Sequence, residues 1–403
     1  MKILHTADWH IGKTLYKYEL NEDIQLFFEW LLNYISQEKI DVLLVAGDIF
    51  DMANPSNKDL KIYYDLLIKL HLLQTKVIII GGNHDSISLL EAPKDLLNSI
   101  NIHVVGGVSD QLNDEVIPIC DSMGKVQCVI LAVPFLRDRD LRKSVDATQE
   151  QNKSEIEKVA IKLHYDQLLE IAMEKFGIKV PIIAMGHLHL QGAETSDSER
   201  EIHIGNLEGI SATLFSDEID YLALGHIHKP QKVGNRDKIQ YSGSPVFLDF
   251  SERNYDKRVI QIELENHKIQ EIKSVIIPKK RALKKFVGTY QEVENQLLKY
   301  LPEYELTSLV ELEIIENHQD PAILKQHSDL LEAAPYGNYK IIKSRLTFKN
   351  NSDFRELLTD NEQIMSFSPL QIFKKRLEME QIDEKQSNQL LDAYQILIEE
   401  MQD

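Results

Sequence analysis

Five times along this chain an apolar run stops and side chains able to hold a metal follow at once. "KILHTA" leads into Asp8 and His10, and "VLLVAG" leads into Asp48 and, three residues on, Asp51. "VIIIGG" leads into Asn83, His84 and Asp85, "IIAMG" into His187, and "LALG" into His226 and His228. The donors are carboxylates, one amide and imidazoles, with no thiolate. Such a set suits Mn, Fe or Zn rather than Ca, and its size fits two ions better than one. Two ions roughly 3.5–4 Å apart clamp a phosphoryl group and activate a water, with one carboxylate bridging them. The chemistry this predicts is hydrolysis of a phosphate ester.

No cluster is specific alone. A single histidine after a strand is more often a satisfied core residue, and "GD" is more often a turn. Most of the 14 histidines stand in no such setting. The ordered set DxH, GDxxD, GNHD, GH, GHxH is what chance does not supply.

The elements that must carry these groups alternate. Strands are predicted over 2–6, 41–46 and 76–80, and helices over 21–37, 57–72 and 88–99. Later apolar runs occur at "VQCVILAVP", "KVPIIAMG" and "DYLALG", with a long helix over 154–175 and a hairpin over 259–277 turning at "ENHK". This is an α/β pattern, with helices on the faces of parallel or mixed sheets. Ligands at the C-terminal ends of strands are where open α/β sheets bind. Gly47, Gly81, Gly82, Gly186 and Gly225 allow sharp exits from the sheet.

With 403 residues, 43% hydrophobic and 27% charged, the chain is expected to fold as two or three domains. Its net charge of −19 excludes capture of nucleic acid by the overall field. No apolar run approaches the roughly 20 residues of a membrane span, and no targeting segment is evident. Cys120 and Cys128 flank a turn and could face each other across a hairpin. The reading adopted is two reduced thiols in a cytoplasmic protein.

A boundary is expected at "PKKRALKKF", giving domains at 1–277, 278–350 and 351–403. The second reads as α+β and the third as helical. In the third, Ser368-Pro369 resembles a helix start, Asp383 with Gln386 a capping box, and Leu390, Tyr394, Leu397 and Met401 one apolar face. Core packing and docking of another protein explain that face equally well. The cluster Lys279, Lys280, Arg281, Lys284 and Lys285 reads as a solvated linker or as a phosphate contact. Arg137, Arg139 and Arg142 alternate with Asp138 and Asp140, which allows self-pairing as readily as DNA contact.

The order of the clusters resembles that of the calcineurin-like metallophosphoesterases. "HTADWHIGKTL", "VAGDIFDMANPS", "IIGGNHDS", "PFLRDRD", "LALGHIHKPQ" and "YSGSP" are together similar to the SbcD-type bacterial nuclease subunits, counterparts of the eukaryotic and archaeal double-strand-break-repair nuclease. The resemblance is strong to about residue 275 and rests beyond it on "SPLQIFKKRLEMEQIDEKQ" and the general layout. It implies a metallophosphoesterase β-sandwich flanked by helices, a small α+β capping domain and a C-terminal helical segment. It implies two Mn2+ ions, with Mg2+ or other divalent metals as substitutes. Asp8, His10 and His228 would hold one; Asn83, His187 and His226 would hold the other; Asp48 would bridge. His84 would bind the scissile phosphate or protonate the leaving oxygen. Asp51 and Asp85 would orient ligands or His84, and His189 would stay outside the set.

The family's activities are 3′-to-5′ degradation of double-stranded DNA and endonucleolytic cutting of single strands and hairpins, in repair, recombination and replication. The implied partners are DNA, a second copy of the chain through helices 57–72 and 88–99, and an SMC-like ATPase of the SbcC type in a heterotetramer. The last helices would dock on that ATPase. Another calcineurin-like phosphodiesterase or phosphatase, or a DNA scaffold with little cutting, are the alternative readings.

Overall fold

The computed structural model describes residues 1–144, 153–177, 179–196, 198–199, 209–234, 236–318, 320–332, 339–349 and scattered positions beyond 350. The chain opens with β1 (Lys2–Thr6), a small hairpin of β2 (Thr14–Leu15) and β3 (Tyr18–Glu19), α1 (Asn21–Glu38), β4 (Val42–Ala46) and α2 (Asn57–Leu72). It continues through β5 (Lys76–Ile80), α3 (Ile87–Glu91), α4 (Lys94–Asn98), β6 (Ile102–Val105), β7 (Val116–Cys120) and β8 (Val126–Ala132). Next come α5 (Asp138–Ser144), α6 (Lys153–Phe176), β9 (Ile182–His187), β10 (Tyr221–Gly225), β11 (Gln231–Val233), β12 (Arg236–Tyr241), β13 (Arg258–Glu265) and β14 (Lys268–Ile276).

These strands build two six-stranded sheets, ordered β14-β13-β1-β4-β5-β6 and β11-β12-β10-β9-β8-β7. The central strands are parallel within each sheet, so all five ligand-bearing strands release their loops at the C-terminal rim.

Side-chain alternation decides the packing. Val42, Leu44 and Ala46 of β4 face Ile130, Ile183 and Ala223 of the second sheet in a shared core. Leu43 and Val45 point the other way, into a core with α1 and α2. The second sheet buries its far face against Ile161, Leu168 and Ala172 of α6. Because both faces of each sheet are covered, β4 (VLLVA) and β10 (YLALG) are apolar without interruption, while β1 carries the buried His5 and Thr6. Each strand end is thereby fixed by packing on two sides.

Two local expectations change and a third holds. The helix expected over 88–99 is two short helices, α3 and α4, because Pro93 lacks a donor N–H and its ring cannot follow a helical carbonyl. Cys120 and Cys128 are not opposite: a register shift pairs Ile119 with Cys128 and Cys120 with Val126, leaving Cys120 exposed and Cys128 buried. The hairpin at "ENHK" forms with Asn266 and His267 both left-handed, the conformation a tight β-turn requires.

Beyond β14 lie β15 (Leu283–Gly288), α7 (Tyr290–Lys299), β16 (Ser308–Glu316), α8 (Pro321–Glu332) and β17 (Tyr339–Phe348), the strands ordered β15-β16-β17. Thr289 and Glu292 close a capping box that starts α7. The chain divides into two compact units, Met1–Lys285 with Leu301–Glu311 and Pro335–Lys343, and Phe286–Tyr300 with Leu312–Ala334 and Ser344–Asp403. Leu390 and Tyr394 are helical. Ser368, Pro369, Asp383, Leu397 and Met401 lie outside the described residues. No helix among the described residues is long and apolar enough to cross a membrane.

Candidate metal centre

The left-handed backbone is the first sign of a built site. Asp8, His10, Asp48 and His226 have φ of 52°, 46°, 48° and 96°. Such conformations are costly for residues with a Cβ and persist where the surroundings impose them. Gly82 is needed because a Cβ there would lie 2.1 Å from Asp48 Oδ1. At Gly225 it would lie 1.8 Å from the Ala46 carbonyl oxygen. Tight crossing of these loops brings the donors of both sheets together.

All eight predicted site residues reach this rim. Asp8, His10 and His228 form one buried group of converging donor atoms, His10, Asp48 and His84 a second, and Asp8, Asp48 and His187 a third. Asp48 Oδ2 lies 3.6 Å from His10 Nε2, 3.4 Å from His187 Nε2 and 3.9 Å from His84 Nε2, so it faces both halves of the site. Asn83 Oδ1 is 2.9 Å from His187 Nε2. His226 belongs to none of the three groups; its ring stands 5.5 Å from that of His187, and its backbone N–H donates to Asp8 Oδ1 at 2.8 Å. His189, half-buried, has its ring centroid 6.4 Å from that of His226.

Supporting contacts choose the face each ring presents. His187 Nδ1–H donates to the Ala46 carbonyl at 2.9 Å, turning Nε2 to Asn83 and Asp48. His84 Nδ1–H donates to the Asp51 carbonyl at 2.7 Å, turning Nε2 inward. His10 Nδ1 faces the Asp51 carboxylate at 3.3 Å. Asp85 acts on backbone rather than on His84: its carboxylate accepts from the N–H groups of Ile49, Phe50 and Gly82 at 3.1, 3.0 and 2.8 Å. It thus ties the loop after β4 to the loop after β5, while Arg137 donates to its carbonyl at 2.9 Å.

Charge is crowded here. Burial raises the Asp8 carboxyl to about 7 against the pull of His187 and His228. Burial would also raise Asp48, but His187, His10 and His84 hold it well below the usual carboxylate range. Burial would lower His187; Asp48 and Asp8 instead raise it to about 9. Burial lowers His10 to about 4 and, with His187 nearby, pushes His226 well below its ordinary value.

This donor set fits divalent cations. Asp8 Oδ2 is buried without a hydrogen-bond partner. Beside it, His10 Nε2 and His228 Nε2 approach to 3.1 Å, although each ring turns its Nδ1 toward a carboxylate. Two bare nitrogens and an orphaned carboxylate oxygen then converge on one point, an arrangement a cation relieves.

The model of the calcineurin-like phosphoesterase family matches residues 1–230. The chain belongs to the calcineurin-like phosphoesterases. These enzymes are metal-dependent phosphoester hydrolases, and all eight rim residues fall within the matched region. The chain is 30% identical to the SbcD subunit of nuclease SbcCD from Escherichia coli (strain K12), over 97% of this chain and 96% of that one. It is 34% identical to the Rhodobacter capsulatus protein of the same name over 66% of each chain. Against the Bacillus subtilis one it is 32% identical over 65% of this chain and 66% of that one.

Sequence reasoning missed a group around His228 in this phosphoesterase. Glu199 Oε1 accepts from the His228 N–H at 2.8 Å, and Glu252, Lys257 and Ser198 gather on the ring's far side. No strand end or glycine marks them. Nothing local in "SERNYDK" separates it from a solvated surface turn.

The basic cluster is largely engaged within its own unit. Arg281 is buried and pairs with Asp23 at 2.8 Å and Glu22 at 3.1 Å. Lys280 meets Glu305 at 3.0 Å and Lys284 meets Glu303 at 2.8 Å, while Lys279 lies over the Phe247 ring at 4.8 Å. These pairings favour the linker reading over phosphate contact. Arg139 pairs with Asp140 at 3.5 Å.

Proposed function

We propose that this phosphoesterase is the DNA-cutting component of an ATP-dependent complex of the SbcCD type. It would remove nucleotides from 3′ ends of duplex DNA and cut single strands and hairpins. The observation that carries the reading is the convergence of seven donors and His84 at one rim, around the unpartnered Asp8 Oδ2. The near full-length similarity to the SbcD subunit of nuclease SbcCD supports the substrate class.

In this reading Asp8, His10 and His228 hold one ion, Asn83, His187 and His226 hold the other, and Asp48 bridges. The ions, Mn2+ by preference, supply charge neutralisation and an acidified water. The chain's own groups do the rest. Asn83 contributes a neutral oxygen, adding no negative charge where a phosphate must come. His84, its Nδ1–H held by Asp51, keeps Nε2 directed at the scissile phosphate to bind it or to protonate the leaving oxygen.

Residues 278–350 would form the capping domain over the DNA, and residues 351–403 the segment that docks an SbcC-type ATPase in the cytoplasm. Exposed Ile68, Leu72 and Leu96, at 55%, 73% and 69%, support α2 and α4 as the face that meets a second copy. With a net charge of −19, the ATPase partner would supply much of the grip on DNA.

The test is a Mn2+-dependent assay on a 3′-labelled duplex, a hairpin oligonucleotide and a small phosphomonoester, with and without the ATPase. Cutting of the two DNAs, abolished by chelation and raised by ATPase with ATP, is expected. Hydrolysis of the phosphomonoester alone would assign the site to a different phosphoesterase activity.

A further inference from the structure

His228 is held differently from His187 and His84, whose Nδ1–H groups donate to backbone carbonyls. His187 leans on a neutral backbone carbonyl, whereas His228 leans on a buried charge pair. Its Nδ1–H donates to Ser198 Oγ at 2.5 Å, and Ser198 Oγ donates to Glu252 Oε1 at 2.5 Å. Glu252 Oε1 also lies 3.4 Å from His228 Nδ1 directly. The other oxygen, Oε2, accepts from the Leu248 N–H at 3.0 Å and from Lys257 Nζ at 2.5 Å.

Both members of the pair are out of solvent: Glu252 is 0% and Lys257 4% exposed. An isolated buried charge of either sign would be costly, so each makes the other tenable. Lys257 reaches further, donating to Ser244 Oγ at 2.7 Å and lying 3.4 Å from the His228 carbonyl. The ring and the backbone of His228 are therefore gripped by one polar network, and Nε2 is left bare toward His10 and Asp8.

We infer that Glu252, backed by Lys257, is a positioning residue that sets the affinity of the ion site on the His228 side and leaves the Asn83–His187 side largely alone. A carboxylate behind a ligating imidazole fixes its tautomer and makes the ligating nitrogen more basic, an effect worth roughly 10–100-fold in metal affinity. Behind His187 the hydrogen-bond acceptor is the neutral Ala46 carbonyl at 2.9 Å, and the carboxylate 3.9 Å from its Nδ1 is Asp8, a group of the centre itself, so the two halves differ in a way that depends on Glu252. The inference rests on the two-ion reading above.

The experiment is a Mn2+ titration of the full chain, read by the paramagnetic resonance of free Mn2+, on the wild type and on Glu252→Gln. An anomalous map then shows which ion position is depleted. One site weakened about 10–100-fold, on the His228 side, with the other unchanged, is the expected result. Unchanged binding, or equal weakening of both sites, overturns the inference and leaves the two-ion reading intact. A wild type that takes up no Mn2+ overturns the two-ion reading and the inference with it. If Glu252→Gln does not fold, the double variant Glu252→Gln/Lys257→Gln removes both charges together and carries the same expectation. Nitrogen-15 spectra of the folded wild type give a readout that needs no stable variant: His228 must carry its proton on Nδ1, and a proton on Nε2 overturns the inference.

Discussion

The two ends of the sandwich both contain left-handed residues other than glycine, and for opposite reasons. At the end away from the metal centre, Lys39, Gln74 and Asn101 have φ of 54°, 58° and 64°. All three are exposed and follow helices, and Lys39 is the C-cap of α1, its N–H donating to the Ile35 carbonyl. This is the ordinary way a helix stops. At the ligand-bearing end, Asp8, His10, Asp48 and His226 adopt the same region of φ while buried, and their side chains crowd together. The first group caps helices at a small local cost. The second forces acids and imidazoles into a dry space that the free chain would avoid. Backbone strain at one end is incidental to chain reversal; at the other it aims donors at a common point.

That contrast can be broken or sharpened by substitution. Asp48→Asn should have the largest effect, since Asp48 faces both halves of the centre. Mn2+ binding should weaken at both sites together and phosphodiester cleavage should fall to background, measured by titration and DNA cutting. Loss of one ion alone would contradict the bridging role. His84→Gln should leave both ions bound and lower the rate about 10²–10⁴-fold, the range for a lost general acid. Metal loss in that variant would make His84 a ligand instead.

Acidification should act next. Burial puts Asp8 at about 7, and Asp48 and Asp8 put His187 at about 9, in the metal-free protein. Both must be deprotonated to ligate, so protons compete with metal below these values and uptake releases protons. Mn2+ affinity should fall roughly 10²-fold or more from pH 8 to pH 6. The rise in melting temperature on adding Mn2+ should shrink with it. An affinity independent of pH would contradict the proposed ligands. The smallest effect is expected at the far end: Lys39→Gly should relieve the left-handed strain and stabilise the fold by about 0.5–1 kcal/mol in denaturant melts, with Mn2+ binding unchanged.

The parts legible in the sequence are those where one physical pattern repeats. Apolar strands with glycine exits announced both the sheets and the positions of Asp48, Asn83, His187 and His226, and Asp8 follows a strand end without a glycine. The trio Asn83, His84 and Asp85 was readable as a site because four other strand ends repeat its form. What was not legible depends on closure in space. Glu252 and Lys257 sit in a short turn whose composition suits a solvated surface, and only folding carries that turn to His228. The slip between Cys120 and Cys128 comes from a bulge that spacing does not reveal. The break at Pro93 was available from the sequence and was overridden by the apolar pattern around it.

The most direct test of the two-ion centre is a crystal structure grown with Mn2+ and read by anomalous scattering at the manganese edge. Two peaks roughly 3.5–4 Å apart are predicted, one on Asp8, His10 and His228, the other on Asn83, His187 and His226, with the Asp48 carboxylate between them. A single peak, or ions held by residues outside this rim, would contradict the account.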